Sequence, residues 1–268
     1  MNPLITQLLL LAAAALPFAA QAHKGWLAPS KSVLDVGQWI TVDAGISTEP
    51  FVRDHQPMRL DALQITAPDG RRVAAENAAT GRLRSTFDLP LTQPGTYRIA
   101  VLSEGLVASW TEAGQPKRWR GPAARYAAEV PAGAAALQVS EVQGRVETFA
   151  TAGRPDAGAL ATSGRGLEML PVSGIADLFV GEDAVFRFLL DGQPAADLEV
   201  EVIRDGSRYR DALGEEHLRT DAEGRVTLRW AAPGLHWISA SVRDGKAGIA
   251  PASERRASYA ATVDVLSP

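Results

Sequence analysis

The sequence predicts an all-β protein: two β-sandwich domains, immunoglobulin-like or transthyretin-like, after a cleaved signal peptide. Three observations lead there. Short apolar runs alternate with period two. Turn signals interrupt them about every 8–12 residues, the rhythm of a sandwich. The chain carries 24 Gly and 17 Pro, and no helical stretch of convincing length follows the leader.

The leader comes first. Residues Leu8–Leu16 are apolar, Pro17 interrupts them, and Ala20-Gln21-Ala22 offers small residues at the two positions a signal peptidase reads. Cleavage after Ala22 makes residues 1–22 the signal peptide and His23 the first mature residue. The apolar stretch Leu4–Ala20 is short for a spanning helix, which needs about 20 residues, and no second one follows. A periplasmic protein without a membrane span is expected.

The first sandwich is expected over 23–149. Gln38–Ala44 sets Ile40, Val42 and Ala44 on one face against Trp39, Thr41 and Asp43 on the other. Leu60–Thr66 ends at Pro68-Asp69-Gly70, where Pro fixes φ and Gly is free to take a positive one. Arg82–Phe87 and, past Gln93-Pro94-Gly95, Thr96–Val101 continue the series. From Gly105 to Arg125 the period is lost in a Trp- and Arg-rich loop that contains Lys117-Arg118-Trp119-Arg120. Val142–Ala150 suits a strand or a short helix. The Gly-, Ala-, Ser- and Pro-rich stretch within 150–166 reads as a linker.

The second sandwich is expected over 167–268. Val185–Leu190 runs into Asp191-Gly192, a hairpin turn. Leu198–Ile203 alternates, Thr220–Gly224 turns into Arg225–Trp230, and Pro233-Gly234 turns into Leu235–Val242. Tyr259–Val265 closes the domain.

Composition removes several function classes. With no cysteine, Zn–Cys sites, Fe–S clusters, Cys nucleophiles and disulfides are out. A net charge of −4 with 22% charged residues gives no field for nucleic acid. Gly-x-Ser-x-Gly, His-Glu-x-x-His, phosphate-loop and dinucleotide patterns are all missing from the sequence.

The mature opening His23-x-x-Trp26-Leu27-x-Pro29 resembles that of periplasmic proteins grouped as domain of unknown function 4198. Val36-Gly37, Leu167–Pro171, Asp191–Pro194 and Thr220–Arg225 match in the same order, so the resemblance spans nearly the whole mature chain. It implies a periplasmic component of a cobalt- or nickel-type transport system, with envelope transport proteins as partners. His23 is the one residue it places by position.

Four residues are candidate metal ligands. His23, once N-terminal, offers an α-amine and an imidazole, a set suited to Cu(II) or Ni(II). His55 and Met58, three residues apart in Asp54-His55-Gln56-Pro57-Met58, add an imidazole and a soft thioether, although a loop His is usually solvated and a Met usually fills gaps. His236 shares a strand face with Ile238, Ala240 and Val242, which favours a core role; His217, in a charged loop, favours a solvated one. The expected function is a non-enzymatic metal-binding or metal-uptake accessory protein for a Cu, Ni or Co ion. A structural or protein-interaction module of the envelope is the alternative, and a brace-type copper oxidase, which needs the histidines to converge, is the third.

Overall fold

A computed structural model describes residues 23–268; the expected signal peptide lies outside the described residues. The chain is all-β, as predicted. The first half contributes β1 (Lys24–Pro29), β2 (Val33–Leu34), β3 (Trp39–Ser47), β4 (Gln56–Pro57), β5 (Leu63–Thr66), β6 (Arg72–Val73), β7 (Glu76–Thr80), β8 (Ser85–Pro90), β9 (Gly95–Glu112) and β10 (Gln115–Gly121). One α-helix among the described residues, α1 (Ala123–Glu129), precedes β11 (Ala135–Ala152). The second half adds β12 (Leu167–Pro171), β13 (Asp183–Leu190), β14 (Gln193–Pro194), β15 (Glu199–Arg204), β16 (Glu216–Arg219), β17 (Arg225–Arg229), β18 (Gly234–Asp244) and β19 (Glu254–Val265).

Alternation decides which faces pack. In β3, Ile40, Val42 and Ala44 are buried and Trp39 is exposed, as period two requires. The first core lies between a five-stranded sheet ordered β1-β3-β8-β7, with β4 on β3, and the β11-β9-β5-β6 part of a ten-stranded sheet. The second lies between a four-stranded sheet (β12-β13-β14, with β17 on β13) and the β15-β18-β19 part of the same ten-stranded sheet. Asp191 and Gly192 both take positive φ, 52° and 77°, the two-residue turn predicted between β13 and β14.

One sheet therefore runs through both sandwiches. Strand β11 pairs antiparallel with β9 on one side and parallel with β19 on the other, Ser140–Thr148 facing Glu254–Thr262. Val142–Ala150, ambiguous in sequence, is strand throughout: β9 pairs along all of it and β19 along it as far as Thr148. The 150–166 stretch begins with the end of β11 and continues into a 3₁₀ turn at Gly158–Leu160. A Cβ at Gly158 would lie 1.9 Å from the Pro68 carbonyl oxygen, so only glycine lets this turn approach so closely.

The aperiodic Trp- and Arg-rich stretch is an extension of the sheet. Strand β9 continues past Gly105 and folds back through Ala113-Gly114, both at positive φ, into β10. Near the tip most residues are exposed on both faces, so no burial pattern reaches the sequence. Trp119 packs edge-on against Tyr126 of α1 at 5.8 Å and donates its Nε1–H to Glu129. With seven residues, α1 is too short to show helical periodicity.

The seam between the two cores is polar. Arg98 Nε and Nη2 donate to Glu147 Oε2 and Oε1 at 2.8 and 3.0 Å, and the Tyr259 hydroxyl donates to the same carboxylate. Arg145 lies 3.5 Å from Glu147 and 3.3 Å from Glu168, whose oxygens accept the Ser163 and Gly164 amides. Glu147 and Glu168 are fully buried, so each negative charge is met by guanidinium or backbone N–H groups, as burial requires. Burial opposes the Arg98 charge, yet Glu147 beside it holds the guanidinium firmly protonated; burial and Glu147 together raise the Tyr259 hydroxyl.

Candidate functional site

The site grows from β1, whose side chains anchor it to both halves. Trp26 is fully buried and donates its indole N–H to Ser47 Oγ at 2.7 Å. Its ring occupies the space over Gly45, its register partner on β3; a Cβ there would sit 2.4 Å from Trp26 Cζ2. With Phe51, Ile203, Trp237 and Ala260, Trp26 forms a third small core on the outer side of the ten-stranded sheet. The Trp237 indole donates to the Gly25 carbonyl at 2.8 Å, and Lys24 pairs with Glu201 at 2.8 Å while its Nζ lies 4.8 Å from the Trp237 ring centroid.

His23 is exposed and immediately precedes this anchored strand. His55 is exposed in the connection between β3 and β4, held by the pairing of Gln56 and Pro57 with Ile46 and Gly45. The two imidazoles meet: their centroids are 3.8 Å apart and their planes 8° from parallel. Two histidines separated by 32 positions thus share one surface point. Nitrogen lone pairs lie in the ring planes, so stacked rings aim them along parallel planes. One ion can take both nitrogens only after a ring turns, which exposed side chains do freely.

The other two candidates lie elsewhere. Met58 is 4% exposed and packs in the first core, within reach of Gly25, so its thioether is on the interior side while His55 faces solvent. His236 is 6% exposed at the end of the second core, edge-on to Trp230 at 4.9 Å, with Nδ1 3.0 Å from the Gly234 carbonyl. His217, on the β16 edge, pairs with Glu199 at 3.2 Å. Among the described residues no three His, Asp or Glu side chains cluster as a metal cage. The meeting of His23 and His55 had no signal in the sequence, since nothing local ties a loop to a terminus.

Burial pushes the His236 imidazole down to about 4, aided by the charges of Arg204 and Arg210 and opposed by its hydrogen bond to Gly234. A histidine whose pKa is lower folded than unfolded contributes stability that is full above about pH 6.5 and is lost as pH falls toward 4. Between pH 7 and 4 this costs up to about 3 kcal/mol. Urea unfolding at both pH values is expected to show His236→Gln losing that much less stability than the native protein; parallel losses would refute the assignment.

A cavity of about 410 Å³ borders the polar seam, lined by Arg98, Arg145 and Glu168 among others. Those charges neutralise one another in the seam network described above.

The family model described as "Domain of unknown function (DUF4198)" matches residues 20–244. No curated protein matches the chain. Among solved structures, the D0-D1 domain of intimin is 12% identical, covering 90% of this chain and 97% of that one, with a TM-score of 0.24. A DUF4785 family protein from Legionella pneumophila is 6% identical, covering 80% of this chain and 50% of that one, at 0.24. Trypsin-activated alpha-2-macroglobulin from Escherichia coli is 12% identical, covering 90% of this chain and 16% of that one, at 0.23. No helix among the described residues is long and apolar enough to cross a membrane.

Proposed function

We propose, from the premise that the chain belongs to the domain of unknown function 4198 family, that it is a periplasmic, non-enzymatic metal-handling protein. In this reading it takes a Cu, Ni or Co ion through His23 and His55 and serves an envelope uptake system. One observation carries the reading: the approach of the two imidazoles to 3.8 Å, one just before the strand that opens the mature chain and the other in the β3–β4 connection. Signal cleavage after Ala22 would add the α-amine of His23, giving one chelate ring plus a second imidazole. Three nitrogen donors fit the tetragonal preference of Cu(II) and Ni(II) better than that of Co(II). The anchoring of β1 supports the reading further, because a terminal ligand is useful only where its chain is held.

The test is calorimetric titration of Cu(II) and Ni(II) into exported protein whose N-terminus has been confirmed by mass spectrometry. His23→Ala, and a form with one residue left before His23, are expected to lose tight binding; His55→Ala is expected to weaken it about tenfold or more, the scale of one lost ligand or its support. Affinity should fall from pH 8 to pH 5 as the imidazoles and the amine protonate. Equal affinity in all four proteins, or none in any, would leave an interaction module as the better account.

A further inference from the structure

The open end of the second sandwich holds a cavity of about 300 Å³, near the lower size of small-ligand sites. Strand alternation builds it. Val200, Val202 and Arg204 follow one face of β15, and His236 and Ile238 follow the same face of β18, with Arg204 directly opposite His236. The apolar core thus ends in a guanidinium and an imidazole. Trp230, at the end of β17, covers them from the facing sheet.

The polar groups at this mouth are unevenly matched. Trp230 is 3% exposed, and its indole N–H has no acceptor among the described residues. His236 Nδ1 must carry a hydrogen to bond the Gly234 carbonyl, which leaves Nε2 unclaimed. Arg210 spends its donors on the carbonyls of Arg204, Asp205 and Leu213, so its position is fixed but its charge is not neutralised by them. Arg229 pairs with Asp183 at 3.1 Å, while Arg204 has no carboxylate partner among the described residues. Glu216, exposed at the rim, is the one acidic side chain lining the cavity.

We infer that this mouth binds a small organic carboxylate, its charge between Arg204 and Arg210, an oxygen accepting the Trp230 N–H, and its apolar part on Leu228 and Val202. Two guanidiniums without carboxylate partners, Arg204 and Arg210, beside an imidazole repel a cation and favour an anion. The unpaired Trp230 N–H is a donor awaiting an acceptor, and a buried donor left unmet is costly.

The experiment follows the Trp230 indole ¹H–¹⁵N cross-peak of the mature protein, assigned by its loss in Trp230→Phe, during titration with benzoate, inorganic phosphate and benzyl alcohol. A saturable shift with benzoate is expected, absent with benzyl alcohol and weakened at least tenfold in Arg204→Gln that melts as the native protein does. Phosphate shifting the peak as tightly as benzoate would overturn the carboxylate assignment in favour of a bare oxyanion site. Equal shifts with benzyl alcohol, no saturation, or an unchanged affinity in Arg204→Gln would overturn the site itself.

Discussion

Arg98→Met is expected to lower the melting temperature by roughly 6–20 °C. Removing one member of a buried ion pair costs about 3–5 kcal/mol because the other charge is stranded, and each kcal/mol shifts the midpoint of a protein this size by about 2–4 °C. Here the group left behind is Glu147, fully buried, which loses both hydrogen bonds from Arg98 and keeps, among guanidiniums, only the longer 3.5 Å approach of Arg145. Adding Glu147→Gln to Arg98→Met should recover part of the loss. The amide keeps an acceptor for the Tyr259 hydroxyl and carries no charge to strand. Scanning calorimetry of the native protein and the two variants decides the matter. A single variant within about 1 kcal/mol of the native protein would mean that water reaches the seam and screens the pair.

Trp26→Ala is expected to cost about 3–5 kcal/mol, the range for emptying a buried aromatic site. Gly45→Ala should cost about 1–3 kcal/mol for the opposite reason, since its methyl has no room beside the indole. The two are predicted to be non-additive: once Trp26 is gone, the Gly45 methyl enters free space and its penalty disappears. A double-mutant cycle by denaturant unfolding measures this coupling. Simple addition of the two costs would show that Gly45 is needed for its backbone rather than for the Trp26 ring. Trp26→Ala should also weaken Cu(II) binding, because it loosens the strand that holds His23 beside His55.

The sequence carried much of the fold and little of the site, for a physical reason. Strands such as Gln38–Ala44 and turns such as Asp191-Gly192 are specified locally, by alternation and by tolerance of positive φ, so they can be read along the chain. What joins the halves is specified by partners far away. Arg98 sits in a run of buried residues on a strand, and only β11 shows that its neighbour is Glu147. The His23–His55 stack, the Trp237 bond to Gly25 and the Trp230 mouth are likewise products of tertiary pairing. His236 shows the limit from the other side: its face was legible, but the arginines around it come from other parts of the second half.

The parallel pairing of β11 with β19 sets an order in time. Ser140–Thr148 cannot complete its second edge until Glu254–Thr262, more than 100 residues later in the chain, has reached it. Until then one side of the longest strand pair is an open ladder of backbone donors and acceptors, the kind of edge that recruits other chains. Such distant partners also make closure slow compared with local hairpins. The folding protein therefore passes through a stage with its midline unfinished, and keeping that edge apart from other chains in that stage is what lets it mature.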